Sequence, residues 1–153
     1  MRVIFGIFPL LAIPVIIYNL MAFTHGGGAD AAGVAISMAR QISDPTLSGW
    51  KLPMAGGEWI ITSGDLLIML SMVFFFVEIL KSTSTGSSTI ANHAVSMIVF
   101  IVCLIEFLLL ENFATSVFFI LTLMCLLDVL AGVVVTIISA RRDFTVGDGV
   151  GNN

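Results

Sequence analysis

Charge is what this sequence has least of. Six basic and ten acidic side chains are spread over 153 residues, 10% of the chain, where an ordinary soluble domain carries about a quarter. The six Lys and Arg are scattered and form no basic stripe, which sets nucleic acid aside as a partner. Cysteine is nearly absent: Cys103 and Cys125 both fall inside apolar runs, where thiols act as inert packing groups. The two histidines, His25 and His93, lie at opposite ends of their predicted spans, too far apart to share a haem, and read as interfacial polar residues. No nucleophile–base arrangement, phosphate-binding glycine loop or zinc-ligand spacing occurs. Gly26–Gly27–Gly28 has neither a preceding strand nor a following P-loop lysine, and it reads as a linker. These absences argue for a chain that is not an enzyme and takes no cofactor and no metal.

What the sequence has is apolar length. It is 58% hydrophobic, with 12 Phe and 8 Met in long uncharged runs and a mean hydropathy of +1.11. The class is an all-α membrane protein. At 153 residues one compact bundle is the limit, with no separate soluble catalytic domain. A bilayer crossing needs about 20 apolar residues, and four stretches qualify: 3–23, 59–80, 90–110 and 114–140. Short later connections make these an up-down four-helix transmembrane bundle over 1–143, followed by a flexible Gly-rich tail at 144–153. Pro9 and Pro14 should kink the first span. A signal peptide is the rival reading of that span, since Ala29–Asp30–Ala31 resembles a small-residue cleavage site. Its apolar run is longer than a signal h-region, which favours a retained span.

The loop 24–58 is the one sizeable polar segment. Asp30 suits the N-cap of a short amphipathic helix over 31–42, with Arg40 in its last turn, lying on the membrane surface or folded over the bundle mouth. Ser43–Asp44–Pro45 stops that helix, and Pro53 with Gly56–Gly57 predicts an irregular remainder. Trp50 and Trp59 suit the headgroup level, as interfacial anchors do, and Arg141 and Arg142 close the last helix at the opposite interface. If the N-terminus is inside, Arg2, Lys81, Arg141 and Arg142 are cytoplasmic against Arg40 and Lys51 outside. That balance favours both termini inside and the 24–58 loop outside.

Three acids stand inside the apolar stretches: Asp65, Glu106 and Asp128. Intramembrane carboxylates are expensive and usually face protein or water. By residue count Asp65 and Glu106 lie roughly 8–9 Å below the outer ends of their helices, Asp128 lies near the middle, and Glu78 and His93 lie near the inner face. Helical spacing groups Glu58, Thr62, Asp65, Met69 and Met72 on the second span, and Asn92, Ser96, Val99, Cys103 and Glu106 on the third. On the fourth span, Asp128, Gly132, Thr136 and Ala140 form a small-residue stripe suited to close helix packing. Glu78 falls away from Asp65 and is positioned to meet Lys81 at the interface. Cys103 and Cys125 each precede an acid by three residues, but their predicted depths differ by roughly 9 Å, which argues against a shared metal.

The block from Glu58 to Phe144 resembles a type of small four-span inner-membrane protein common in proteobacteria. The resemblance rests on Gly64–Asp65–Leu66–Leu67, on the run from Phe76 to Lys81, and on Asp128 to Phe144 with its closing Ala–Arg–Arg–Asp–Phe. It implies a bacterial inner-membrane location and assigns no activity and no site residue. Two functions remain open. The first is a non-enzymatic structural or accessory component that oligomerises or joins a larger membrane complex. The alternative is a small proton- or cation-coupled transporter or channel using Asp65, Glu106 and Asp128. In both, the partners are the lipid bilayer and a second copy or another membrane subunit.

Overall fold

In a computed structural model the chain is described over residues 8–24, 37–82 and 87–147. It is mostly helical: α1 Ala12–Thr24, α2 Met38–Ser43, α3 Pro45–Ser48, then strands β1 Trp50–Met54 and β2 Gly57–Ile61, α4 Ser63–Ser82, α5 Ser87–Leu109, a 3-10 turn Glu111–Phe113, and α6 Ser116–Gly147. Three segments are long and apolar enough to cross a membrane: Ser63–Lys81, Ala91–Leu109 and Ser116–Ile138. α6 is the axis of the bundle, with α5 and α4 packed along it. Its buried side carries Val117, Phe118, Leu121, Met124, Cys125, Asp128 and Val129.

Of the expected first span, 3–23, residues 3–7 lie outside the described residues. Pro9 stands in the non-helical stretch 8–11 that leads into α1. The Ala12 N–H bonds to the Pro9 carbonyl at 3.1 Å, and regular helix follows from Ala12. Pro14 sits in the first turn, where a missing N–H leaves no bond unmade. The 13 residues of α1 rise about 20 Å of the roughly 30 Å of a hydrocarbon core, and the remainder of the expected stretch lies outside the described residues. α1 runs antiparallel to α4. Its approach at Phe8–Leu10 touches Lys81 and Glu78, and its far end at Tyr18 and Ala22 touches Asn112 and Thr115.

That far end is an aromatic plug. Tyr18, fully buried, packs its ring on Phe113 and Phe118 and bonds its hydroxyl to Thr115 Oγ1 at 2.6 Å and to the Asn112 carbonyl at 3.0 Å. Thr115 also caps α6, accepting the Phe118 N–H at 3.1 Å. α2 begins at Met38 with Ser37 as its cap and closes over this end by burying Met38 and Ile42. The part of the predicted 31–42 helix before residue 37, its Asp30 cap, His25 and the 26–28 glycines lie outside the described residues.

The irregular stretch predicted between α3 and the second span is an antiparallel hairpin. Trp50 pairs with Ile61, Leu52 with Trp59 and Met54 with Gly57. The turn is closed by Gly57 at φ 141°, a conformation that favours glycine. Pro53 is compatible because a two-stranded sheet consists only of edges. Trp59 therefore belongs to β2, and the second span starts at Ser63. At the other terminus α6 continues through Arg141 and Arg142 to Gly147, so the helix does not close at those arginines and the expected tail keeps only 148–153, outside the described residues.

Candidate functional site

Opposite the aromatic plug, four elements converge on a polar centre. α4 brings Glu78 and Lys81, α5 brings Asn92, His93 and Ser96, and α6 brings Asp128 and Gly132. The segment ahead of α1 contributes two backbone groups. Pro9 lies in a non-helical stretch, and there the Phe8 carbonyl and the Leu10 N–H are bonded to α4. Leu10 N–H donates to Glu78 Oε2 at 2.8 Å, and Lys81 Nζ donates to the Phe8 carbonyl at 2.8 Å. Non-helical backbone packed against an apolar bundle needs its polar groups satisfied by protein, and α4 supplies the partners here.

Glu78 is 0% exposed and is held from three directions. Besides Leu10, Asn92 Nδ2 donates to its Oε1 at 2.6 Å and the Lys81 ammonium stands 2.9 Å from the same oxygen. Lys81 also donates to Asn92 Oδ1 at 2.9 Å, which closes a triangle of Glu78, Lys81 and Asn92. An ammonium has three protons to donate, and the carbonyl, amide and carboxylate take all three. A buried charge pair is tolerated when its remaining polar capacity is met in this way.

Asp128, 1% exposed, is in the opposite condition. Among the described residues neither of its oxygens has a hydrogen-bond partner of ordinary geometry, and the same holds for both His93 nitrogens and the Ser96 hydroxyl. Ser96 lies within reach of the Asp128 carboxyl without a bond of ordinary geometry between them, and His93, Glu78 and Lys81 are its charged or ionisable neighbours. The imidazole is pressed against Gly132, where a Cβ would overlap the ring. Gly132 thus admits His93 to the face of α6 that carries Asp128 one turn away. Thr136, next on the stripe, donates its hydroxyl to the Gly132 carbonyl at 2.9 Å, and Ala140 continues the same helical backbone.

The other expected acids stand apart from this centre. Asp65 is exposed at the start of α4 and forms a reciprocal capping box: its Oδ2 accepts the Thr62 N–H at 2.9 Å, and Thr62 Oγ1 accepts the Asp65 N–H at 3.2 Å. Its expected face is the outward one, since Met69 and Met72 are exposed, while Gly64, Leu67, Ser71 and Glu78 are buried. Glu106 is half-buried and accepts a bond from Asn19 Nδ2 at 3.2 Å. Asp65, Glu106 and Asp128 therefore do not form one connected series among the described residues.

The two cysteine–acid motifs are inverted about the thiols. Cys103 and Cys125 are free, buried and within hydrogen-bonding reach of each other, so they are level and do not differ in depth. Because α5 and α6 run in opposite directions, Glu106 and Asp128 then diverge by about 9 Å along the axis, six residues of helical rise. Among the described residues no three His, Cys, Asp or Glu side chains converge as metal ligands would.

The residues missed from sequence are Glu78, Lys81, Asn92 and His93 as one group. The available signal was the series Gly64, Leu67, Ser71, Glu78, which repeats at three, four and seven residues and carries the polar side chains of α4 inward. No family model, curated protein or solved structure matches the chain.

Proposed function

We propose that the protein is a four-span bundle of the bacterial inner membrane that handles protons through the polar centre, with Asp128 as the group that takes up and releases the proton. One observation carries this reading: a fully buried carboxyl, on a helix long and apolar enough to cross a membrane, finds no hydrogen-bond partner on either oxygen among the described residues. A carboxyl kept only for structure is hydrogen-bonded to a neighbouring helix, and an unsatisfied buried group calls for a functional account. A proton on Asp128 removes its charge and gives it a donor for Ser96 or for a neutral His93. The Glu78–Lys81–Asn92 triangle supplies a fixed charge background beside it, and His93, with two unused nitrogens, is the group suited to pass a proton on. Lys81 stands at the end of α4 and opens this centre toward the membrane surface. The balance of Lys and Arg favours a cytoplasmic position for that end.

The test is proton flux in proteoliposomes carrying a pH-sensitive dye. Asp128→Asn should abolish wild-type flux while the protein inserts and folds normally, whereas Asp65→Asn should leave flux intact because that carboxylate serves a helix cap. Wild-type vesicles no leakier than empty ones, or full flux from Asp128→Asn, would overturn the proposal.

A second reading, an accessory subunit that pairs with a second copy, is favoured by an open groove of about 500 Å³ lined by Phe107, Ala114, Phe119 and Ile120. Small Ala114 beside two phenylalanines suits a partner helix. Native mass spectrometry from detergent distinguishes it: a dimer lost on Ala114→Trp supports the pairing, and a monomer at all concentrations removes it.

A further inference from the structure

The hairpin between α3 and α4 is two-faced. Directly paired residues of an antiparallel ladder share a face, and faces alternate along each strand. The register therefore puts Trp50, Leu52, Met54, Trp59 and Ile61 on one side and Lys51, Pro53, Glu58 and Ile60 on the other. The second side is accounted for. Lys51 and Glu58 form an ion pair at 3.0 Å, and Ile60 lies close against Gly49 at the end of α3. The first side is left open, with Trp50 64% and Trp59 52% exposed, beside exposed Leu52 and Met54. An unpaired hairpin is marginal in water, and an open face of two indoles, a leucine and a methionine makes it more so.

From this arrangement we infer that the hairpin lies on the bilayer, with its tryptophan face in the boundary between phospholipid headgroups and acyl chains and its Lys51–Glu58 face in water. Continuity selects that occupant. β2 passes through Ile61 and Thr62 into α4 with no linker, so the open face joins the apolar exterior of a span, where Met69, Leu70, Val73 and Phe76 are exposed. Tryptophan is the residue that collects at this depth, because its indole has an apolar body and one N–H for the headgroup region. The two faces then match the two sides of the interface: ion pair and loop helices above, indoles below. The hairpin fixes the depth of the α4 cap, Thr62 and Asp65, at the membrane surface. The inference rests on α4 as a span and is independent of proton handling at the other end.

Both tryptophans of the chain are on this face, so their fluorescence reports on it alone. The full-length protein, and the Trp50→Phe and Trp59→Phe variants that leave one indole each, are reconstituted into phosphatidylcholine–phosphatidylglycerol vesicles. The lipids are brominated either high on the acyl chain or near its end. Each single tryptophan should lose most of its emission in the shallow-brominated lipid, less in the deep-brominated lipid, and little to aqueous iodide. Strong iodide quenching without bromine quenching would show a hairpin standing in water and overturns the inference. Protection from both quenchers would show a protein partner on the face, and stronger quenching by the deep bromines would show burial among the chains; each overturns it as well. A split result, with only one indole reached by lipid, overturns the flat placement.

Discussion

Glu78→Gln measures how far the polar centre holds the bundle together. The substitution keeps the shape of the side chain and one acceptor for Leu10 or Asn92, but removes the charge 2.9 Å from Lys81 Nζ. Removing one partner of a fully buried pair leaves an uncompensated charge and costs about 3–5 kcal/mol. Lys81 is 22% exposed and keeps the Phe8 carbonyl and Asn92 Oδ1, so the expected loss is smaller, about 2–3 kcal/mol after that screening. In a chain of this length 1 kcal/mol moves Tm by about 2–4 °C, giving a fall of about 4–12 °C. Adding Lys81→Met removes the stranded ammonium and should recover about half of the loss. The assay is thermal unfolding in detergent micelles followed by circular dichroism. Glu78→Gln within about 0.5 kcal/mol of wild type would refute the reasoning, because that is the scale of a surface substitution. So would a double variant as unstable as the two single losses added, since residues in contact should couple.

Three further outcomes follow from other parts of the structure. Tyr18→Phe should lower stability by about 1–2 kcal/mol in the same assay, because it strips the buried Thr115 hydroxyl and the Asn112 carbonyl of a partner. Gly132→Ala should cost about 1–3 kcal/mol by driving a methyl into the His93 ring, whereas Gly56→Ala, which meets nothing, should leave the melting curve unchanged. Asp44 lies outside the spans. The Thr46 hydroxyl and then the Thr46 N–H, with the Arg40 guanidinium contributing less, hold its carboxyl below the usual value of 3.8. A depressed folded value makes this contribution fully present above pH 3.8 and lost as pH falls below it. The protection factor of the Thr46 amide should therefore persist through pH 3.8 and fall only at lower pH, where the folded Asp44 carboxyl takes up its proton.

The three long helices were legible because uninterrupted apolar length is a strong signal and the breaks near residues 81–89 and at Glu111–Asn112–Phe113 are marked by polar residues. The start of the second span was misplaced because Trp59, Ile60 and Ile61 are as apolar as a helix interior. What distinguishes them is pairing with Trp50, Lys51 and Leu52, a non-local fact with only a short alternation and Gly57 to announce it. The polar centre was half legible. Asn92, Ser96 and Asp128 fall on inward faces by spacing alone, whereas Glu78 reads as interfacial unless the Gly64–Leu67–Ser71 series is taken as the buried face of α4. The contribution of Phe8 and Leu10 was hidden, since backbone groups leave no trace in a side-chain pattern beyond the proline that frees them.

The interruption at Pro9 has a consequence for how the chain is made. Residues 8–10 leave the ribosome some seventy positions before the side chains that satisfy them, Lys81 and Glu78. Until α4 arrives, a carbonyl and an N–H in that segment must be met by water or by the translocation machinery, because lipid offers nothing to bond. If the first segment enters lipid as the four-span proposal requires, it is a poor stopping point for insertion. Release into the bilayer becomes favourable only once the later helix can reach back to it, and a nascent chain ended before residue 78 should remain extractable from membranes where one ended after Lys81 does not.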